Sequence, residues 1–160
     1  NQAGAIFQGD LVTLKDGFIL QFDPSSHTAA VGVFNGVFYT DPTTGKPTFK
    51  NFYPGSVNIT TGTIQADVLD DPNQLFVIQS DEDIVQADFG KNADVTVGTG
   101  STTTGVSAME LDSSTIATTA ALNLKLIGIY DTPGNALGNF CEVVVKINEH
   151  LYGSAGVAGQ

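Results

Sequence analysis

Two acid-rich segments carry the residue types that could bind a metal ion. Asp70-Asp71 and Asp81-Glu82-Asp83 are dense in carboxylate, but neither follows the Asp-x-Asp-x-Asn-Gly spacing that wraps a calcium ion. One Cys and two widely spaced His residues cannot complete a closed zinc site. We therefore interpret these acids as solvated turn residues and predict no metal site.

The nearest approach to a nucleophile with a base is Cys141 with His150, nine residues further on. On a regular strand their opposite parity places the thiol in the core and the imidazole outside, so no partner lowers the pKa of the thiol. The Gly-rich run 98–105 lacks the Gly-Lys-Ser/Thr ending of a phosphate loop. The sequence predicts no catalytic residue and no cofactor, although a hydrolase with an unrecognised site stays open as an alternative.

The composition favours strands and turns and excludes some partners. Gly and Thr are equally abundant, and charged residues make up only 14% of the chain. The 17 acids stand against six lysines and no arginine, for a formal charge of -11. Because arginine is the usual bidentate ligand of phosphate, we expect no nucleic-acid partner. No apolar run approaches the roughly 20 residues of a membrane span, so we expect no membrane partner.

The dominant period along the chain is two, which is typical of half-buried strands. Asp16-Gly17 and Asn35-Gly36 predict two hairpins, and the segments 57–60, 63–69, 75–79, 95–111, 122–130 and 141–148 contain further strands. Residues 80–94 and 112–122 could each be a loop or a short helix. The predicted fold is all-β, a β-sandwich or barrel of short antiparallel strands with long loops and at most one or two short helices. We expect a single domain over 1–160, with a flexible tail at 152–160.

The connection 39–55, YTDPTTGKPTFKNFYPG, is unusual. It holds three of six prolines, four of fourteen aromatic residues and two of six lysines, and its local charge is +1. Long loops in compact domains tend to be functional or disordered, and the aromatic content argues against disorder. We predict a docking arm whose partner contacts are Tyr39, Lys46, Phe49, Lys50, Phe52 and Tyr53. The alternative is that its aromatic side chains cover the core of the chain itself.

Four phrases carry a resemblance to a known class of proteins: GDLVTLKDGFILQF, AAVGVFNGVFYTDPTTGKPTFKNFYPG, IVQADFGKNADVTVGTGSTTTGVSAMELD and LIGIYDTPGNALGNFCEVVVKINEH. Together they span most of the chain. In order and wording they resemble structural proteins of marine tailed bacteriophages, and in particular capsid decoration (cement) proteins. Such proteins have no catalytic residues, so the resemblance transfers none to this chain.

The resemblance implies a β-rich module, often a trimer, on the outer surface of the virion capsid. Its partners would be the major capsid protein and further copies of itself, and it would hold capsid subunits together. The acidic charge suits the exterior of a shell better than its DNA-facing interior. Two other readings stay open: a tail, neck or head-fibre structural protein, and a carbohydrate-binding module, against which the lack of Trp counts.

Overall fold

The computed structural model describes residues 4–55, 57, 62–153, 155–156 and 159. Within them the chain is all-β, as predicted, with twelve strands in antiparallel sheets and no α-helix. The strands are β1 (Ile6–Phe7), β2 (Leu11–Lys15), β3 (Phe18–Gln21), β4 (Gly32–Thr40), β5 (Pro47–Lys50), β6 (Phe52–Tyr53), β7 (Gln65–Leu69), β8 (Leu75–Gln79), β9 (Asn92–Thr96), β10 (Glu110–Ala117), β11 (Leu124–Ile129) and β12 (Glu142–Ile147).

The first sheet is built around the long strand β4. Its order is β3-β2-β4-β5, and β7 pairs with the opposite side of β4. The predicted hairpin between β2 and β3 is confirmed: Asp16 and Gly17 close it with φ values of 52° and 81°, as a type I′ turn requires. The short strands β1 and β6 pair beside this sheet.

The predicted hairpin at Asn35-Gly36 is wrong, because β4 runs straight through both residues. The register against β7 shifts between Phe34 and Gly36, which marks a β-bulge. Asn35 donates a hydrogen bond from Nδ2 to Asp67 Oδ2 at 2.8 Å. A Cβ at Gly36 would lie 2.5 Å from the ring of Phe49, so this glycine makes room for an aromatic side chain.

The connection 39–55 is a pair of strands and not a long loop, which corrects the sequence reading. β5 returns antiparallel to β4 and pairs Phe38 with Phe49 and Tyr39 with Thr48. Only 41–46 form the turn between them. β6 then pairs with β1 near the beginning of the chain. The sequence hid these strands because Pro47 and the single residue Asn51 between β5 and β6 interrupt the alternation.

The second sheet has the order β10-β9-β11-β12-β8. The strands predicted at 75–79, 122–130 and 141–148 are present as β8, β11 and β12. The sheet curls until its outer strands meet at one end, where Ser80 bridges Leu111 and Asp81 N donates to Leu111 O at 3.1 Å. Towards the other end of β8 no described residues bridge the two edges, so the curled sheet is closed only in part.

Both segments left open by the sequence are now placed. Residues 80–94 contain a single 3₁₀ turn, Gln86–Asp88, and end in β9. Ser80, the first residue of this segment, is buried, and its hydroxyl donates to the Glu82 carbonyl. Residues 112–117 belong to β10, so the helix alternative for that stretch is wrong. β-branched Thr115 and Ile116 suit a strand better than a helix.

Two clusters of buried side chains stabilise the fold. The larger one joins the inner face of the second sheet to Leu11, Phe22 and Ala30 from the first sheet's side. It includes Cys141, whose thiol was predicted to lie in the core, and the inner face of β12 that follows it, where Val143, Val145 and Ile147 are buried. The smaller cluster lies under β4. At about 25 cal/mol per Å² of buried apolar surface, such cores supply the main favourable term in folding.

Among the described residues no helix is long and apolar enough to cross a membrane. The predicted strand over 57–60 lies outside the described residues, except for Val57. In the tail, Gly156 N donates to Glu149 Oε1 at 3.1 Å and Gly159 N donates to the Thr118 carbonyl at 3.1 Å. These bonds place Gly156 and Gly159 beside the residues that follow β12 and β10.

Candidate functional site

The turn between β4 and β5 is built by Asp41. Its Oδ1 accepts hydrogen bonds from Thr43 N at 2.8 Å and Thr44 N at 2.9 Å. The bond from Thr44, followed by that from Thr43, lowers the pKa of this carboxyl below its usual value. Gly45 adopts a φ of 69°, which glycine tolerates best, and its N donates to the Asp41 carbonyl. The hairpin is therefore held in one shape by its own turn.

This hairpin displays an aromatic pair on the outside of the molecule. Phe38 and Phe49 lie opposite each other, with ring centroids 4.7 Å apart and planes tilted by 49°. Their exposed fractions are 52% and 49%. Thr40 and Pro47 form the next cross-strand pair on the same side. We call Phe38, Thr40, Pro47 and Phe49 the aromatic face.

The six predicted contact residues divide between the aromatic face and the interior. Phe49 lies on the face, and Lys46 is exposed in the adjoining turn. Tyr39 and Tyr53, by contrast, are buried in the smaller core cluster at 6% and 8% exposure. For those two side chains the structure matches the alternative reading, in which the aromatic residues cover the chain's own core.

The other two predicted residues are half-buried at the side of the hairpin. Phe52 stacks on Phe7, with centroids 5.7 Å apart and planes inclined by 10°. The Nζ of Lys50 lies 5.9 Å from the centre of the Phe52 ring, within cation–π range. Phe52 therefore helps fix β6 to β1, and Lys50 places a positive charge beside the hairpin.

Sequence reasoning did not single out Phe38, which is as exposed as Phe49. Phe38 and Tyr39 are neighbours in a strand, so their side chains must face opposite sides. The burial of Tyr39 therefore exposes Phe38. This parity was readable from the sequence, but which of the two faces outward depends on β1 and β6 covering the other side of β4.

The acid-rich segments do not assemble a metal centre within the part of the chain that the structure describes, where no group of three or more His, Cys, Asp or Glu side chains converges. Asp81 instead accepts hydrogen bonds from Ser113 N at 2.9 Å and Thr96 Oγ1 at 3.2 Å. Asp71 accepts from Asn73 N at 2.8 Å in its own turn. Asp71 is therefore a turn-forming acid, whereas Asp81 links the residues after β8 to β9 and β10.

The imidazole of His150 was expected on the outside, and this is wrong. β12 ends at Ile147, and the chain then crosses to the first sheet's side, where Ala30 N donates to Glu149 O and Leu151 N to Ala30 O. Strand parity therefore does not extend to His150, whose side chain is 5% exposed. Burial lowers the pKa of His150 from the ordinary 6.5, and Asp70 and Asp71 oppose the shift.

Each ring nitrogen of His150 has a different environment. Its Nδ1 accepts a hydrogen bond from Tyr152 N at 3.1 Å. Its Nε2 is buried and makes no hydrogen bond of regular geometry with a described group, although the backbone of Val31 lies close enough to the ring to oppose the lowering of its pKa. The thiol of Cys141 is also buried, and burial followed by the charge of Glu142 raises its pKa. The thiol donates to the Glu142 carbonyl rather than to an imidazole.

Asp10 is a second buried ionisable residue, and it is fully hydrogen-bonded. Its Oδ2 accepts from Phe7 N at 2.8 Å and Gln21 Nε2 at 3.0 Å, and its Oδ1 accepts from the Ser107 hydroxyl. Burial raises the pKa of this carboxyl, and the three hydrogen bonds act in the opposite direction. Asp10 precedes β2 of the first sheet and Ser107 precedes β10 of the second sheet, so their hydrogen bond connects the two sheets. The role of Asp10 in this position is structural.

Comparison with known proteins gives no relative. No protein-family model matches this chain, no curated protein matches it, and no solved structure matches it.

Proposed function

We propose that this chain is a non-enzymatic virion structural protein. It binds the outer surface of a phage head, contacts the major capsid protein, associates with further copies of itself as a trimer, and stabilises contacts between capsid subunits. The observation that carries the proposal is the exposed Phe38–Phe49 pair on a hairpin of fixed shape. The sequence resemblance supplies the identity of the surface to which the pair binds.

The aromatic face has the properties of an interface centre. Each phenylalanine carries roughly 200 Å² of apolar surface, and about half of it is exposed here. Covering both rings would remove about 200 Å² from water, which corresponds to roughly 5 kcal/mol before the costs of association are subtracted. Since the rings already pack on each other, little side-chain entropy remains to be lost on binding.

Charge supports a location on the outside of a particle. The formal charge of -11 disfavours contact with packaged DNA. Lys46 and Lys50 lie in and beside the hairpin, so the segment that docks is less negative than the rest of the chain. Such a local reversal of charge orients a largely acidic protein towards a surface.

The rings do not suit the flat stacking on which sugar recognition depends. Phe38 and Phe49 are inclined by 49° to each other and so present an angled wedge instead of a continuous platform. This geometry favours insertion into a protein groove over a carbohydrate-binding module. A glycan array distinguishes the two, because a carbohydrate-binding module would bind defined sugars and lose them on replacement of Phe49.

The test is sedimentation with DNA-filled particles from the native source. We expect the double variant Phe38→Thr/Phe49→Thr to bind the particles at least tenfold more weakly, since Thr keeps the strand propensity but removes the rings. The matched control is Phe18→Thr, which removes a phenylalanine of 54% exposure from β3 of the same sheet. Equal binding by the double variant and the control would overturn the aromatic face as the binding site.

Copy number per particle separates the head from the tail. Hundreds of copies in fixed ratio to the major capsid protein would agree with a decoration protein. A few copies would place the chain in the tail, neck or a head fibre. Recovery only as free protein, with none on particles, would refute the virion assignment altogether.

A further inference from the structure

β8 is an outer strand of the second sheet with one unoccupied side. It pairs with β12 in an unbroken register from Leu75 opposite Lys146 to Gln79 opposite Glu142. Ser80 N donates to the Cys141 carbonyl at 2.9 Å, so even-numbered residues direct their backbone groups at β12. Hydrogen-bonded pairs alternate in an antiparallel ladder. The N–H and C=O groups of Leu75 and Val77 therefore point away from the sheet.

No described strand pairs with β8 on that side, except at the bridge from Ser80 to Leu111 at its end. The carbonyl of Leu75 accepts only the side-chain amide of Gln74, at 3.0 Å on the surface. Leu75 and Val77 are each 48% exposed. The strand thus offers backbone donors and acceptors that a further strand could pair with.

An apolar groove of about 250 Å³ lies along this free side. It exists because β8 and the segment 106–111 run parallel, meet at Ser80 and Leu111, and separate towards Phe76. The groove leads towards the interior of the second sheet, and its lining includes Phe76, Ile78, Val95, Met109, Leu124 and Val145. It has room for one large apolar side chain of a strand laid along β8.

The free strand lacks the features that usually block edge pairing. Residues 75–79, LFVIQ, contain no charge and no proline, and the register with β12 has no bulge. The edge strands β5, β7 and β10 each contain a charged residue. β3 is also uncharged. The charged residues beside it, Lys15 and Asp16, have opposite signs, so they favour neither a basic nor an acidic partner.

Both ends of β8 are acidic, and this determines which partner can bind. Asp70 and Asp71 precede the strand, and Asp81, Glu82 and Asp83 follow it. A second copy placed antiparallel along β8 would bring the acids of one chain against those of the other. Repulsion of this kind disfavours self-pairing, whereas lysine or arginine at the ends of an incoming strand would be attracted.

We infer that the free edge of β8 docks an extended, strand-forming segment of another protein that has basic residues at its two ends. The segment pairs with the backbone of Leu75 and Val77 and places one large apolar side chain in the groove. Its basic ends lie against the acids that flank β8. This surface belongs to the second sheet, whereas the aromatic face belongs to the first, so the inference does not depend on the proposed function.

A fluorescently labelled peptide, KTVFVTVK, is the probe, and anisotropy with the full chain is the measurement. We expect saturable binding that Val77→Pro weakens at least tenfold. Proline removes the outward N–H of Val77 but no hydrogen bond to β12, so the sheet tolerates it. Val77→Thr is the matched control, because it keeps the N–H and the strand propensity, and it should bind within twofold of the unchanged chain. Thermal unfolding of both variants verifies the fold.

A second version of the binding test changes the peptide and leaves the protein as it is. Two versions of the peptide are N-methylated, one at the odd-numbered amides and the other at the even-numbered amides. One version should lose binding and the other should keep it, because only one edge of the peptide faces β8. Absence of peptide binding, equal binding of ETVFVTVE, or equal loss in both methylated series would each overturn the inference. So would a dimer of the chain alone that Val77→Pro dissociates, because the occupant would then be a second copy.

The peptide test and the particle test fail independently. The Phe38→Thr/Phe49→Thr variant should bind the peptide with unchanged affinity, since its substitutions lie on β4 and β5. If that variant lost peptide binding, the peptide would be on the aromatic face and the inference for β8 would be wrong. If particles were not bound but the peptide was, only the proposed function would fail.

Discussion

Two of the contact regions between the first sheet and the second, called the joints below, differ in how completely their buried polar groups are hydrogen-bonded. At the first joint Gln8 bridges Val106, and Asp10 accepts three hydrogen bonds from Phe7, Gln21 and Ser107. At the second joint Ala30 bridges His150, whose Nδ1 accepts one bond, while its buried Nε2 makes no hydrogen bond of regular geometry with a described group and has the backbone of Val31 nearby.

Asp10 and His150 make the stability of the fold depend on pH in opposite directions. Burial raises the pKa of Asp10 above 3.8, so the folded state binds that proton more tightly, and this residue's contribution falls as pH rises through the raised pKa. Burial lowers the pKa of His150 below 6.5, so the unfolded state binds that proton more tightly. The contribution of His150 is therefore present above pH 6.5 and is lost as pH falls towards the lowered pKa.

The largest effect is expected from breaking the fully bonded joint. Asp10→Ala leaves the Phe7 N–H, the Gln21 amide and the Ser107 hydroxyl without their acceptor, and it opens a small cavity between the sheets. We expect a loss of about 3–5 kcal/mol in the free energy of unfolding, measured by urea denaturation. Asp23→Ala is the control, since Asp23 accepts comparable bonds within an exposed turn. Similar midpoints for both variants would contradict the joint's importance.

A smaller loss in the free energy of unfolding is expected when Ser107, the hydrogen-bond partner of Asp10, is replaced. Ser107→Ala removes one of the three donors to Asp10 and also the acceptor of the Met109 N–H. We expect a loss of roughly 1–3 kcal/mol. In a double-mutant cycle with Asp10→Ala, the two losses should fall short of additivity by at least about 1 kcal/mol, because they share one hydrogen bond. Strict additivity would show that the two side chains act separately.

Local patterns in the sequence determined parts of both sheets. The alternation in 141–148 predicted the strand β12 and the position of the Cys141 thiol in the core, and the hairpin at Asp16-Gly17 followed from a dipeptide that adopts positive φ easily. Asn35-Gly36 misled for a physical reason: the dipeptide permits a turn but does not require one. Here β7 and β5 pair on the two sides of β4, so the strand continues through it.

The candidate site was predictable only in part. That the segment 39–55 is rich in aromatic residues is visible in the sequence, and Phe49 does lie on the surface. The burial of Tyr53 depends on β1, more than forty residues earlier in the chain, because β6 pairs with β1. Similarly, the burial of His150 depends on its bridge to Ala30. Contacts of such sequence separation leave no local pattern to read.

The smallest effect is a pH dependence at the second joint. His150→Asn removes the titrating ring but keeps an oxygen that can accept from Tyr152 N, as Nδ1 does. Between pH 7.5 and 5.5 we expect the original chain to lose about 1 kcal/mol more stability than the variant, because the unfolded state gains a proton that the folded state binds weakly. Urea denaturation across this range measures the difference. Asp70 and Asp71, which oppose the shift, limit its size. If the two chains lost stability in parallel, the lowered pKa of His150 would be wrong, and its Nε2 would have to find a partner that neutralises the cost of burial.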